Sequence, residues 1–323
     1  MARAGRPRPD VDRLRIVGLV VLGLLVVVTA VLVWIAATRV PEVPAGASAD
    51  PIPEATETYA PPPASEPLVL PPLSRLIVPD GADGAWRTAS LACAPGRTAQ
   101  IFATDDGGES WEQYGLGEVG AAAILAVQPA GDTLTAATLS ADGCELGHAL
   151  TFTGGEFWRD EPGQVGVPFV LPGAPQLRVG GNRIPLPCAD PAGFAAQDGA
   201  IAVLCSDAVL RVSADDGATW SEPEDGRDII ALVAWRDGWL LAQLRQDGCA
   251  GIRLSAVDVE GAEPEEIACL AAFDGSEPIA LGAGARLWAW IGSRIAVSDD
   301  GREWPEDWTR PLEPEPSPSR APA

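Results

Sequence analysis

An eight-residue pattern that returns at four places constrains this chain more than any other feature. Thr104 to Trp111 reads TDDGGESW and Ser213 to Trp220 reads SADDGATW, so both fit Ser/Thr-x-Asp-x-Gly-x-Ser/Thr-Trp throughout. Val297 to Trp304 (VSDDGREW) keeps Asp299, Gly301 and Trp304, while Thr151 to Trp158 (TFTGGEFW) keeps Thr151, Gly155 and Trp158 with Thr153 in place of the acid. A short carboxylate can accept hydrogen bonds from backbone N–H groups of a tight turn. Gly supplies the positive φ, and the Trp ring packs between neighbouring strands. Thr104, Asp106, Gly108, Trp111, Ser213, Asp215, Gly217 and Trp220 therefore read as turn-builders, and so do their partial counterparts. Asp106, Asp215 and Asp299 are expected to be structural rather than catalytic or metal-binding.

Between the repeats the chain reads as all-β. Short apolar or alternating runs recur at Ala122 to Gln128, Thr133 to Thr138, Ile229 to Trp235, Trp239 to Leu244 and Arg286 to Ile291. They are separated by Gly- and Asp-rich turns, and no long amphipathic helical pattern interrupts them. Many short, evenly spaced strands indicate a sandwich, a barrel or a propeller.

The repeated octamer resembles the Asp-box, or BNR, repeat of sialidases, sortilin-type receptors and photosystem II assembly factors. In those families it caps the turn between the third and fourth strands of a β-propeller blade, so the resemblance implies a propeller over about Leu76 to Trp304. The terminal tryptophans lie 47, 62 and 84 residues apart. With roughly 40 to 50 residues per blade, the longest interval holds two blades. The inner one would use strands Ile229 to Trp235, Trp239 to Leu244, Ile252 to Val257 and Glu266 to Leu270. Clear blades then end near Trp111, Trp158, Trp220, Leu270 and Trp304. The middle interval holds either an insertion or a sixth, degenerate blade between Glu161 and Pro191. Five or six four-stranded blades are expected.

Six cysteines follow residue 90: Cys93, Cys144, Cys188, Cys205, Cys249 and Cys269. No CxxC occurs and the sole histidine is His148, so neither a metal nor a cofactor is expected. The even number suggests three disulfides. Cys249, in a second-to-third-strand turn, and Cys269, near the end of the returning fourth strand, share one edge of a blade and should pair. The same edge argument pairs Cys93 with Cys144 and leaves Cys188 with Cys205.

The ends of the chain have a different composition. Residues 1–15 carry five Arg against two Asp, and residues 16–37 then run 22 positions without a charge. Such a helix is about 33 Å long, enough to cross a bilayer core of about 30 Å. The run exceeds a signal peptide's apolar region, and small-residue cleavage sites come only several residues later, so an uncleaved anchor is expected. The basic flank places the N-terminus in the cytoplasm and the rest outside the cell membrane, as a single-pass protein. Ten Pro among residues 40–72 make 38–73 a stalk, and five Pro in 309–323 make that segment a disordered tail. The folded domain is expected at 74–308.

A net charge of -23 excludes the usual nucleic-acid binder. Sialidases, by resemblance, would require an Arg triad and a Tyr nucleophile. Arg183-Ile184-Pro185 looks like their Arg-Ile-Pro element, but it follows two repeats instead of preceding the first, and only Tyr59 and Tyr114 exist. A membrane-held propeller that binds or assembles a protein or envelope component fits better, with no catalytic residue assigned. A sialidase-like glycoside hydrolase is the alternative.

Overall fold

The computed structural model describes residues 68–69, 75–89, 92–161, 163, 166–223, 226–244, 248–260 and 264–305. All of them belong to one compact unit, Pro63–Ala323. The expected cytoplasmic tail, the span at 16–37, most of the stalk and the C-terminal tail lie outside the described residues. Among those described, no helix is long and apolar enough to cross a membrane.

Six antiparallel sheets follow one another along the chain, each built from strands in chain order, with one short strand of a separate ribbon interposed in the first. The first contains Arg75–Asp80, Gly84–Ala89, Gln100–Thr104 and Glu112–Gly115. The second contains Ala121–Ala130, Thr133–Ser140, Leu146–Thr151 and Arg159–Asp160. Phe169–Val170, Gln176–Val179 and Asn182–Pro185 form the third. Pro191–Gln197, Ala200–Cys205 and Leu210–Ser213 form the fourth. The fifth has Ile229–Trp235, Gly238–Leu244, Ile252–Asp258 and Glu265–Leu270, and the sixth has Ile279–Ala283, Leu287–Ile291 and Arg294–Ser298. A two-residue ribbon pairs Leu68–Val69, from the stretch read as stalk, with Ala92–Cys93.

Six apolar clusters join these sheets in cyclic order. Ile101 and Trp158 belong to the cluster between the first and second sheets, and Ala126 and Phe169 to that between the second and third. Ile184 and Val203 join third to fourth, Leu210 and Trp239 fourth to fifth, and Leu254 and Leu287 fifth to sixth. Ile77, Ala85, Trp288 and Trp290 return the sixth sheet to the first. Among the described residues no sheet closes on itself, so packing between sheets holds them together, an arrangement consistent with a β-propeller. Arg75 strengthens the last junction: its guanidinium donates to the Gly292 and Pro278 carbonyls and lies 3.7 Å from the Trp290 ring centroid. Arg286 pairs with Asp83 at 3.1 Å and Asp299 at 2.7 Å.

Burial follows position within each sheet. In the fourth and sixth sheets the second strand is covered on both faces, so Ala200–Cys205 and Leu287–Ile291 are buried at every residue and read as continuous apolar runs. Outer strands such as Glu112–Gly115 and Arg159–Asp160 face solvent and carry charge.

The expectation of four strands in every blade needs correction, because the third, fourth and sixth sheets have three among the described residues. After Trp220 the fourth sheet's outer strand shrinks to a single bridge between Val212 and Ser221. Pro223, which has no N–H to give a ladder, follows two residues later. The region between Glu161 and Pro191 folds as the third sheet, not as an insertion.

Candidate functional site

Because each sheet is an antiparallel meander, its first-to-second and third-to-fourth turns share one end. At that end lie all four repeat turns. Thr104 Oγ1 donates to Asp106 Oδ1 at 2.8 Å and accepts the Gly108 N–H. Asp106 also accepts from the backbone of Glu109 and Ser110 and from the Ser110 hydroxyl at 2.6 Å. Ser213, Asp215, Gly217 and Thr219 repeat this arrangement. In the second sheet Thr151 accepts the Gly155 N–H, and the Thr153 hydroxyl takes the missing acid's place by accepting the Phe157 N–H at 2.9 Å.

In the last repeat the structure moves the acceptor by one residue. Ser298 accepts from the Gly301 N–H, and Asp300, not Asp299, accepts from the backbone of Arg302 and Glu303. One residue fewer separates the anchoring hydroxyl from the tryptophan here than in the full repeats. Asp299 is therefore turned outward, 84% exposed, onto Arg286. Trp158 is buried, whereas Trp111, Trp220 and Trp304 are half-buried at the edges of their clusters.

The repeat glycines bring these turns against the preceding sheet, a role the sequence pattern did not disclose. A Cβ on Gly108 would meet Trp288 of the sixth sheet, one on Gly155 would meet Tyr114 and Trp86 of the first, and one on Gly301 would lie 3.3 Å from Ile267 of the fifth. On Gly217 it would lie 2.2 Å from Ile184 of the third. Gly217→Ala should therefore cost about 2 kcal/mol or more, the sum of overpacking and a positive φ. Gly154→Ala, also at positive φ but with nothing within 4 Å, should cost about 1 kcal/mol, the backbone share alone. Equal losses in urea denaturation would remove the docking role.

These hydrogen bonds set the acidity of the turn carboxylates. The hydroxyl and backbone of Ser110 hold Asp106 well below the usual range, the backbone and hydroxyl of Thr219 lower Asp215, and the backbone of Arg302 and Glu303 lowers Asp300. A group whose pKa is lower folded than unfolded stabilises the fold above its unfolded value, near 3.9. That contribution disappears as pH falls from there through the folded value. Wild-type stability should thus drop below about pH 4, and the Asp106→Asn, Asp215→Asn double variant should lose less over the same interval. Parallel urea midpoints for the two proteins from pH 5 to pH 2.5 would contradict this.

The opposite end carries the cysteines. Cys93 bonds Cys144, Cys188 bonds Cys205 and Cys249 bonds Cys269, with Cα separations of 5.8, 6.0 and 5.6 Å, and no cysteine is left free. Only the first bridge joins the first sheet to the second. The third stays within the fifth sheet, where the edge argument placed it.

The residues that would serve a sialidase are not brought together. Tyr114 sits on the first sheet's outer strand, packed with Trp86 and facing Gly155. Burial, a hydrogen bond to Glu112 and the charges of Glu112, Glu156 and Asp105 push its pKa up to about 12, the wrong direction for a nucleophile. Arg183 lies on the third sheet, where the adjoining Ile184 is part of another cluster. His148 stacks edge-on against Phe169 between the second and third sheets, and burial followed by Arg178 lowers its pKa. No group of three or more His, Cys, Asp or Glu among the described residues is arranged to hold a metal.

Beside the second repeat turn lies an open cleft of about 400 Å³, lined by residues that include Asp80, Trp86, Asp132, Thr133 and Phe152. It is the candidate binding site, and sequence reasoning missed it. The signal was present in the two phenylalanines of TFTGGEFW.

No family model matches the chain, and no curated protein was found to be similar. Solved structures do resemble it at low identity. YCF48 bound to D1 peptide is 18% identical over 74% of this chain and 68% of the other, with a TM-score of 0.24. SapL1 lectin in complex with alpha methyl fucoside is 13% identical over 72% and 93%, with a TM-score of 0.44. A GH74 enzyme of Niastella koreensis is 12% identical, covering 75% of this chain and 43% of the enzyme, with a TM-score of 0.37. At these values no residue or ligand is transferred from any of them.

Proposed function

We propose that the chain is a membrane-anchored, extracytoplasmic β-propeller of six blades, built on Asp-box turns, that binds a protein or envelope component. The observation that carries the location is the pairing of all six cysteines with none left free, as expected of a domain that folds in an oxidising compartment. The apolar segment at 16–37 and its basic flank supply the anchor and its orientation. The binding role rests on what the domain does with its polar groups. Asp106, Asp215 and Asp300 are engaged in their own turns, Tyr114 is packed at a sheet junction, and the open cleft is bordered by the exposed ring of Phe152. Protease added to intact spheroplasts should digest the domain and leave an N-terminal tag protected. A protected domain would overturn the topology. Cross-linking in native membranes should capture a partner whose yield falls when the cleft is altered; a yield indifferent to the cleft would move the binding surface elsewhere.

A further inference from the structure

The second repeat turn departs from the others in a way that turn formation does not require. Phe152 stands where the full repeats have Asp105 and Ala214, and Phe157 where they have Ser110 and Thr219. Both rings are solvent-facing, Phe152 54% and Phe157 63% exposed. Thr153 keeps the turn closed, so the same scaffold that in the full repeats displays only small or polar side chains at these positions here displays two aromatic rings. Phe152 lines the cleft and Phe157 extends the exposed apolar surface of the same turn; exposed apolar surface beside a cleft marks a binding site.

The cleft's lining selects the chemistry of the ligand. Two of its side-chain donors are already used: the Trp86 indole N–H goes to Asp80 at 3.0 Å, and the Thr133 hydroxyl to the Ala130 carbonyl at 2.8 Å. Thr151 is occupied by its own turn. No Arg, Asn or Gln lines it, whereas the carboxylates of Asp80 and Asp132 do. The charges of Asp105, Glu112 and Glu156 converge on Tyr114 at the same sheet junction. Among the described residues none of these five acids forms a salt bridge. Phe152 already accepts a guanidinium on its ring, that of Arg159 at 4.9 Å, which is held by Glu161. A site with spare acceptors, engaged donors and aromatic faces suits a cation that can also lie against a ring.

We propose that the cleft between the first and second sheets binds the guanidinium or ammonium side chains of a basic segment on a partner protein. The proposal rests on the binding-module reading and specifies its partner.

The test uses the full chain in detergent with a labelled hexa-arginine peptide, followed by fluorescence anisotropy at low and physiological salt. Replacing both rings (Phe152→Ser with Phe157→Ser) should weaken binding about tenfold, as expected for losing two exposed cation–π contacts. Asp132→Asn should weaken it about threefold or more, in the range of one exposed charge pair. Asp198→Asn removes the same charge from the corresponding first-to-second-strand turn of the fourth sheet and should change affinity less than twofold. Melting temperatures should stay the same in all three variants. Equal effects of the two Asp variants, or indifference to the ring pair, would reduce the binding to diffuse attraction by net charge and overturn the proposal. Saturable, ring-dependent binding of a neutral oligosaccharide with none of the peptide would overturn it in favour of a glycan. In either case a partner cross-linked in native membranes would leave the binding-module reading standing; absence of both peptide binding and any cross-linked partner would remove both.

Discussion

Replacing Trp288 by Ala is expected to lower the stability of the domain by about 3 to 5 kcal/mol, the cost of truncating a large, fully enclosed aromatic. Its side chain is wholly buried in the central strand of the sixth sheet, within the cluster that also holds Ile77, Ala85 and Ala280. The ring of Trp111 meets it edge-on at 6.4 Å, and the Gly108 turn rests on its six-membered ring. Since no strand ladder among the described residues joins the sixth sheet to the first, packing at this junction is what completes the cycle there. Its loss should lower the melting temperature by roughly 10 °C in a domain of this size. Trp220, half-buried at the edge of the Ile184 cluster, has less surface to lose and should cost about 2 kcal/mol when changed to Ala. A urea midpoint for Trp288→Ala within experimental error of wild type, or one above that of Trp220→Ala, would show that the first and sixth sheets are held together by something else.

The contrast between these tryptophans shows where sequence reasoning held and where it ran short. A pattern of identical letters predicts the turn, because turn chemistry is local: the hydroxyl, the acid and the glycine lie within five residues of one another. Burial of the terminal tryptophan depends on what the neighbouring sheet presents, and the octamer carries no record of that. The fifth sheet is legible almost to the residue, since its first two strands are nearly continuous apolar runs, its last two alternate, and Gly- and Asp-rich turns separate them. The third reads equally as a blade or an insertion because its strands are two to four residues long and separated by Gly- and Pro-containing turns. In the final repeat, matching letters put Asp299 in register. The shorter turn instead brings Asp300 to the Ser298 anchor, a shift visible only once backbone N–H groups have positions. By its letters the second repeat is a partial copy, with Thr153 in place of the acid. Its two phenylalanines, the strongest sign of a binding surface, registered as mismatches to a structural motif.

Removing the Cys93–Cys144 bridge should have the largest effect of the three disulfides. It closes 51 residues and spans two sheets, whereas Cys249–Cys269 closes 20 and Cys188–Cys205 closes 17. In the chain-entropy account these loops correspond to about 4 kcal/mol for the first and about 3 kcal/mol for each of the others. Native packing adds to the difference. Cys93 is fully enclosed with Ala122, Ala123 and Leu139, so the bridge lies inside an apolar cluster at the first-to-second junction. Cys249 and Cys269 connect the turn before the third strand of one sheet to its fourth strand, which backbone pairing already aligns, with Arg253 opposite Cys269 and Ile252 opposite Leu270. The Cys93→Ala, Cys144→Ala protein should therefore unfold at lower urea than Cys249→Ala, Cys269→Ala. Because the first bridge fastens the sheet bearing Trp86 to the sheet bearing Phe152, its removal should also loosen the cleft, seen as faster amide exchange in Thr133–Ser140 than in the fifth sheet. Non-reducing peptide mapping must first recover the three pairs. A bridge between Cys144 and any cysteine other than Cys93, or a greater loss from opening the shorter loop, would mean that the first two sheets are not fastened to each other in this way.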